Sequence, residues 1–174
     1  MAASSGSRTS ARPRPTSPPN RWAPASSWAC RSDGVAGPLI LHATAVAIGT
    51  RGALIRGPSG SGKSALALEM MAAGAALVSD DRVILEDGPD GIALTAPGAI
   101  RGLIEARGMG ILHADVTDKA LLCVVVDLSR EETARLPDPK EVCVLSRQVP
   151  LIHKMAQPHF AAALVQYLKG GRKE

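Results

Sequence analysis

From residue 39 onward the apolar positions fall into short, regular runs separated by glycine-rich or acidic turns. Residues 39–48 (LILHATAVAI) are aliphatic and β-branched, 49–52 form a turn, and 53–56 resume the apolar run, which predicts two strands joined by a tight turn. Residues 64–73 are helix formers without proline, closed by Gly74. Residues 75–79 predict a strand that ends at Asp80 and Asp81, and 82–86, the turn 87–91 and 92–95 predict a hairpin. The most apolar stretch, 121–128, predicts a central strand, and 142–145 a further short one. Across 158–169, Phe160, Ala163, Leu164, Tyr167 and Leu168 recur at helical spacing, with Gly170 and Gly171 as the stop. Strands outnumber helices. An α/β domain with a mixed, strand-rich sheet is therefore expected, not a doubly wound one whose crossovers need a helix after nearly every strand.

The chemistry lies in the turn between the second strand and the first helix. Gly57, Pro58, Ser59, Gly60, Ser61, Gly62, Lys63 and Ser64 satisfy G-x-x-x-x-G-K-[ST] at every fixed position, in the strand, loop, helix order that a P-loop requires. Glycines there let backbone N–H groups curl around phosphate oxygens, and the following helix adds the positive end of its dipole. Lys63 is expected to reach the β- and γ-phosphates of ATP, and the Ser64 hydroxyl to ligate Mg²⁺. About sixteen residues beyond Ser64, Asp80 and Asp81 end a strand, where P-loop proteins place a second metal contact and where a carboxylate can accept a proton from an attacking hydroxyl. Adjacent residues of an extended strand point to opposite sides, so the two acids are expected to serve different tasks. Residues 104–111 (IEARGMGI) put Glu105, Arg107 and two glycines into a short apolar stretch, the composition of a strand or loop that approaches a ligand closely.

Charge and composition narrow the partners. The net charge is +4, yet residues 1–37 hold five arginines against Asp33, and the fifteen basic and fifteen acidic residues that remain balance. With Phe160 and Tyr167 its only aromatics, the neutral body offers neither an electrostatic groove nor a stacking platform, which excludes nucleic acid as a partner class. The longest apolar run, 120–126 (ALLCVVV), is too short for a membrane span. Cys30, Cys123 and Cys143 show neither C-x-x-C nor zinc-ligand spacing and suit a reducing cytoplasm. Residues 1–37, rich in Ser, Arg and Pro, can sustain no helix or strand and are expected to be a disordered tail, with 38–174 forming one P-loop domain.

Together His42, the loop GPSGSGKS, LVSDDRV at 77–83, EARGMGIL at 105–112 and the later Ala134, Arg135 and Leu136 resemble, in the same order and at nearly the same spacing, the catalytic domain of bacterial HPr kinase/phosphorylase. The resemblance covers about residues 38–150, and E-x-R-G-x-G-I beside a P-loop is far more specific than the P-loop alone. It implies a phosphoenolpyruvate carboxykinase-like core and an ATP-dependent kinase acting on a serine of HPr, the phosphocarrier protein of the sugar phosphotransferase system. It also implies phosphorolytic reversal in many members, and a homo-oligomer, usually a hexamer. By position it implies that Lys63 neutralises the transferring phosphoryl group and that Ser64 and Glu105 hold Mg²⁺, with Asp80 as an auxiliary or metal-shell residue. Asp81 would take the proton from the substrate serine, and His42 and Arg135 match the family's essential histidine and later arginine.

The chain departs from the family in three ways. A proline-rich stretch stands where its N-terminal domain is expected, Ala65 stands where long members commonly have glutamate, and residues 148–174 lack the arginine- and glycine-containing segment that long members use in dephosphorylation. Kinase activity is therefore better supported than phosphorylase activity. Two other classes use the same loop. A small P-loop phosphotransferase acting on a small molecule would need a lid or acceptor pocket, for which 38–174 leave little room; a non-catalytic nucleotide sensor would need the loop but not Asp81.

Overall fold

Strands that are apolar on every successive residue must be covered on both faces, and the chain builds its sheet accordingly. The structure, a computed structural model, describes residues 37–173; the expected tail, apart from Gly37, lies outside the described residues. The first strands, β1 (Leu39–Leu41), β2 (Thr44–Ile48) and β3 (Arg51–Arg56), lead to helix α1 (Lys63–Ala72). Then come β4 (Ala76–Ser79), the hairpin of β5 (Val83–Gly88) and β6 (Gly91–Thr95), a 3₁₀ turn (Gly98–Ile100), and the hairpin of β7 (Leu103–Ala106) and β8 (Gly110–His113). The long β9 (Ala120–Glu131), β10 (Glu141–Val144), β11 (Arg147–Lys154) and helix α2 (Phe160–Gly170) complete the order. Nine strands form one mixed sheet, β1-β5-β6-β9-β3-β2-β4, to which β11 and then β10 are attached through β9, while β7 and β8 pair apart. The strand-rich expectation holds.

β9 organises the sheet. One edge runs parallel to β3, and the other is antiparallel to β6 near its start and parallel to β11 further along. Its side chains alternate: Val124 and Val126 join Ala53, Ile55, Met70, Phe160, Leu164 and Leu168 under the two helices. Val125 joins Leu54, Leu85, Leu94, Val144 and Val149 in a second cluster built from strands and their connections, without a helix. Each large aliphatic side chain fully buried in this way contributes about 1.5–3 kcal/mol.

Residues 39–48 form two strands where one was expected. β1 pairs with β5, whereas β2 pairs with β3 and β4, and the chain breaks at His42 and Ala43 because its two halves serve different neighbours. β3, β4, β9 and β11 run in one direction, so their carboxyl ends gather along one side of the sheet, where ligands bind in open α/β sheets. No helix of the described residues is long and apolar enough to cross a membrane.

β3 passes β9 closely at Gly52, where the register shifts. A Cβ there would meet Leu94 Cδ1 at 2.8 Å and Ala120 Cβ and Leu121 O at 3.1 Å. Gly52→Ala is expected to lower stability by about 1–3 kcal/mol in urea unfolding, because overpacking outweighs the entropy gained in the unfolded chain. An unchanged midpoint would show that Leu94 yields without cost.

Candidate functional site

The carboxyl end of β3 turns into the glycine-rich loop, and three positive φ angles shape it: 152° at Gly57, 79° at Gly60 and 95° at Gly62. A side chain at Gly57 would place its Cβ 2.6 Å from Ser61 Oγ, so the loop curls tightly only because that Cβ is missing. α1 begins immediately after Gly62 with no side chain capping it and no acid in its first turn, which leaves the positive helix end facing the loop. Ser61 Oγ is buried there without a hydrogen-bond partner among the described residues. Lys63 is almost buried, and its Nζ donates to Gly57 O at 3.2 Å and Pro58 O at 3.1 Å. Burial pulls its pKa below the ordinary lysine value, with Asp80 and then Asp81 opposing the shift. An orphan hydroxyl, a compact lysine and open helix N–H groups fit an anion of phosphate type.

The carboxyl end of β4 delivers the two acids to different partners. Asp80 is buried, and its carboxylate accepts from Ser64 Oγ at 2.9 and 3.1 Å, from Thr44 Oγ1 at 2.7 Å and from the Glu105 N–H at 3.0 Å. Asp81 instead sits in a γ-turn of the rare positive-φ form, with φ 66° and Arg82 N donating to Asp80 O at 2.8 Å. That turn swings its exposed carboxylate to His42, whose Nδ1 lies 2.9 Å from Asp81 Oδ1, while Arg82 Nε stands 3.7 Å from Oδ2. Ser64 and Asp80 together present a hydroxyl and a carboxylate, oxygen donors suited to a hard divalent cation.

The remaining predicted residues are distributed unequally. Glu105 lies on β7 with its backbone bonded to Asp80 and its side chain exposed. Arg107, in the turn between β7 and β8, reaches over the loop, its Nη2 being 3.7 Å from where a Cβ on Gly60 would sit. Arg135 is exposed in the connection from β9 to β10, and among the described residues no hydrogen bond or ion pair brings it to the acids.

Two features escape the sequence. Thr44, within an aliphatic run, is one. The other is an ion pair under the loop: Arg56, the residue before Gly57, donates Nε at 3.0 Å and Nη2 at 2.8 Å to Asp127 Oδ2 on β9. Ser129 holds the other oxygen with its N–H at 2.9 Å and its hydroxyl at 2.6 Å. Burial alone would raise the Asp127 pKa, but the Ser129 donors and the Arg56 guanidinium outweigh it and hold the carboxyl below its ordinary value. The stability this brings is fully present above the unfolded-state value of 3.8 and is lost as pH falls through the lower folded-state value. Asp127→Asn is expected to cost about 3 kcal/mol at neutral pH by leaving a buried guanidinium without its carboxylate. The variant should also lack that share of the acid-induced loss, as urea unfolding from pH 7 downward would show; parallel curves would contradict it.

Comparison with known proteins finds relatives of this chain. The family model described as the HPr serine kinase C-terminal domain matches residues 34–136. An HPr kinase/phosphorylase of Stenotrophomonas maltophilia (strain K279a) is 34% identical over 136 residues, covering 69% of this chain and 43% of that protein. One from Xanthomonas campestris pv. campestris (strain B100) is 34% identical over 134 residues, covering 68% and 42%. The chain thus spans less than half the length of these curated relatives. The solved structure of the Hpr(Ser) kinase/phosphatase from Coxiella burnetii shares the fold, with a TM-score of 0.63 at 23% identity over 75% of this chain and 88% of that one.

Proposed function

The chain belongs to the family of the HPr serine kinase C-terminal domain, and on that ground we propose that it is an ATP- and Mg²⁺-dependent protein-serine kinase whose substrate is an HPr-type phosphocarrier protein. The observation that carries this reading is the division of labour between successive acids, Asp80 at the Ser64 hydroxyl and Asp81 at His42. A nucleotide sensor needs the first and has no use for the second.

In this reading residues 57–64 form a P-loop that cradles the ATP phosphates, and Ser61 Oγ gains a phosphate oxygen as its partner. Ser64, Asp80 and Glu105 would hold Mg²⁺; the chemistry it supplies when bound is neutralisation of phosphate charge. Among the described residues no three His, Cys, Asp or Glu side chains converge as a cage, which suits a cation that keeps water and phosphate oxygens in its shell. Lys63 exchanges its loop carbonyls for the β- and γ-phosphate oxygens, and Arg107 adds charge from above the loop. His42 holds Asp81 Oδ1, and Oδ2, with Arg82 Nε 3.7 Å away, would take the proton of the substrate serine as its oxygen attacks. Arg135 enters this reading by the resemblance alone, as the counterpart of the family's later essential arginine. A cytoplasmic homo-oligomer, hexameric by resemblance, belongs to the same reading, and its size can be measured by light scattering. The decisive assay incubates this chain with labelled ATP, Mg²⁺ and purified HPr. Label on an HPr serine is expected; an unlabelled HPr beside a chain that binds ATP would return the reading to a sensor or a kinase of another substrate.

Reversal should be slow. Phosphorolysis must hold inorganic phosphate in line with a seryl phosphate, and two anions demand added positive charge. Arg107 overhangs the loop, but Lys154 is the only lysine or arginine between residues 148 and 168. Phosphoserine-HPr with Mg²⁺ and phosphate is therefore expected to release pyrophosphate far more slowly than the forward reaction proceeds. Comparable rates would mean that Arg107, Arg135 or a neighbouring subunit completes the phosphate site.

A further inference from the structure

His42 and Thr44 stand two residues apart at the junction of β1 and β2, and each grips one of the successive aspartates: His42 Nδ1 lies 2.9 Å from Asp81 Oδ1, and Thr44 Oγ1 donates to Asp80 Oδ1 at 2.7 Å. We propose that Thr44 is a positioning residue for the cation site, its hydroxyl fixing the plane of the Asp80 carboxylate so that one edge always faces Ser64. The inference rests on the reading of this site as a Mg²⁺-nucleotide cradle.

The carboxylate is held from both flanks. Oδ1 accepts from Thr44 and Oδ2 from the Glu105 N–H at 3.0 Å, while Ser64 Oγ lies between them, 2.9 Å from Oδ1 and 3.1 Å from Oδ2. Ser64 has a single hydroxyl proton, and the last torsion of an aspartate is broad, so Ser64 cannot set the orientation alone. With a cation bound, one lone pair of the Ser64 oxygen would face the ion while its single proton could still go to either carboxylate oxygen, so Ser64 would not choose between them. The donors that hold the carboxylate from outside the cation site are Thr44 and the Glu105 N–H. Outer donors of this kind fix ligating groups and tune metal affinity.

Thr44 suits the task. It is fully buried between Ala43 and Ala45, both also buried, on a strand paired along both edges. Being β-branched, it has few χ1 choices in that setting. Valine would fill the same space without bringing a hydroxyl that must be satisfied, so packing alone does not call for threonine. The hydroxyl has its partner in Asp80.

The test titrates Mg²⁺ into the full chain with a fluorescent ATP analogue and reads the Mg²⁺ concentration at half-maximal binding. Thr44→Val is expected to raise that concentration about tenfold, Thr44→Ser to keep it near that of the unaltered chain, and analogue binding without Mg²⁺ to stay the same in all three. Thr44→Ala, which removes the hydroxyl without valine's second methyl, should follow valine and serves in its place if valine overpacks. A general loss of structure would weaken binding with and without Mg²⁺ alike and would overturn the positioning role, as would a serine variant no better than valine. If the unaltered chain binds the analogue with no response to Mg²⁺, the cradle reading itself falls and takes the inference with it. If it does respond and Thr44→Val titrates at the same concentration, the inference on Thr44 alone is wrong.

Discussion

Lys63→Ala is expected to cut phosphoryl transfer to HPr by about 10³-fold or more, with the chain still folded. The reason is the place the lysine holds. It is almost buried, among the described residues its Nζ is bonded only to the carbonyls of Gly57 and Pro58, and burial has weakened its hold on a proton against the pull of Asp80 and Asp81. A phosphate group arriving between these partners would offer the ammonium an anionic acceptor in place of neutral carbonyls, pairing charge with charge in a short, strong hydrogen bond. Among the described residues Arg107 is the other cation located over the loop, and its position above Gly60 cannot reproduce a contact made from within the curl. Transfer rates with labelled ATP, read beside thermal melting, check this. Undiminished transfer by the variant would remove the loop from the mechanism.

Asp81→Asn should separate chemistry from binding. Transfer is expected to fall by about 10²–10⁴-fold while ATP affinity is kept, because the residue that meets the loop is Asp80 rather than Asp81. Asparagine is the right probe. It tolerates a φ of 66° nearly as well as aspartate, so the γ-turn persists, and its side-chain oxygen still accepts from His42. What it cannot do is take a proton from a serine. Loss of ATP binding together with transfer would show instead that Asp81 acts through the loop.

The readable parts of the chain were those whose signal is local. The glycine-rich loop, α1, the hairpin of β5 and β6 and the apolar β9 each declare themselves within a dozen residues, and each is present with ends displaced by a residue or a few. α2 is present too, but its buried stripe takes in Ala161 and Val165 alongside Phe160, Leu164 and Leu168, since it packs on both α1 and the sheet. β11 was not readable, because Pro150 interrupts it and a proline removes a ladder donor. It is tolerated there because pairing with β9 begins only at Leu151, one residue later. The split between β1 and β2 was hidden for another reason: an apolar run does not reveal that its halves pair with different strands. In the site, the expectation that Asp80 and Asp81 part company rested on strand alternation, whereas a γ-turn at Asp81 achieves it. Arg56 and Asp127 are 71 residues apart, and Thr44 and Asp80 are 36 apart. Neither pairing leaves a mark in local spacing.

The position of β9 between β3 and β6 governs how the chain can be made. β2 and β3 pair across a two-residue turn, as do β5 and β6, so both ribbons can form while synthesis is still short of residue 120. Neither can close its remaining edge. Until Ala120–Glu131 arrives, β3 and β6 each present an unpaired ladder, and apolar side chains such as Leu54, Ile55 and Leu94 lack their covering neighbours. Insertion of β9 joins strands distant in sequence, a slow class of event that exposes nascent edges to one another in the meantime. Arg56, the residue before the glycine-rich loop, likewise lacks Asp127 until the same strand is in place. A ribosome-bound chain of this protein is thus most prone to edge-to-edge aggregation in the interval before β9 emerges.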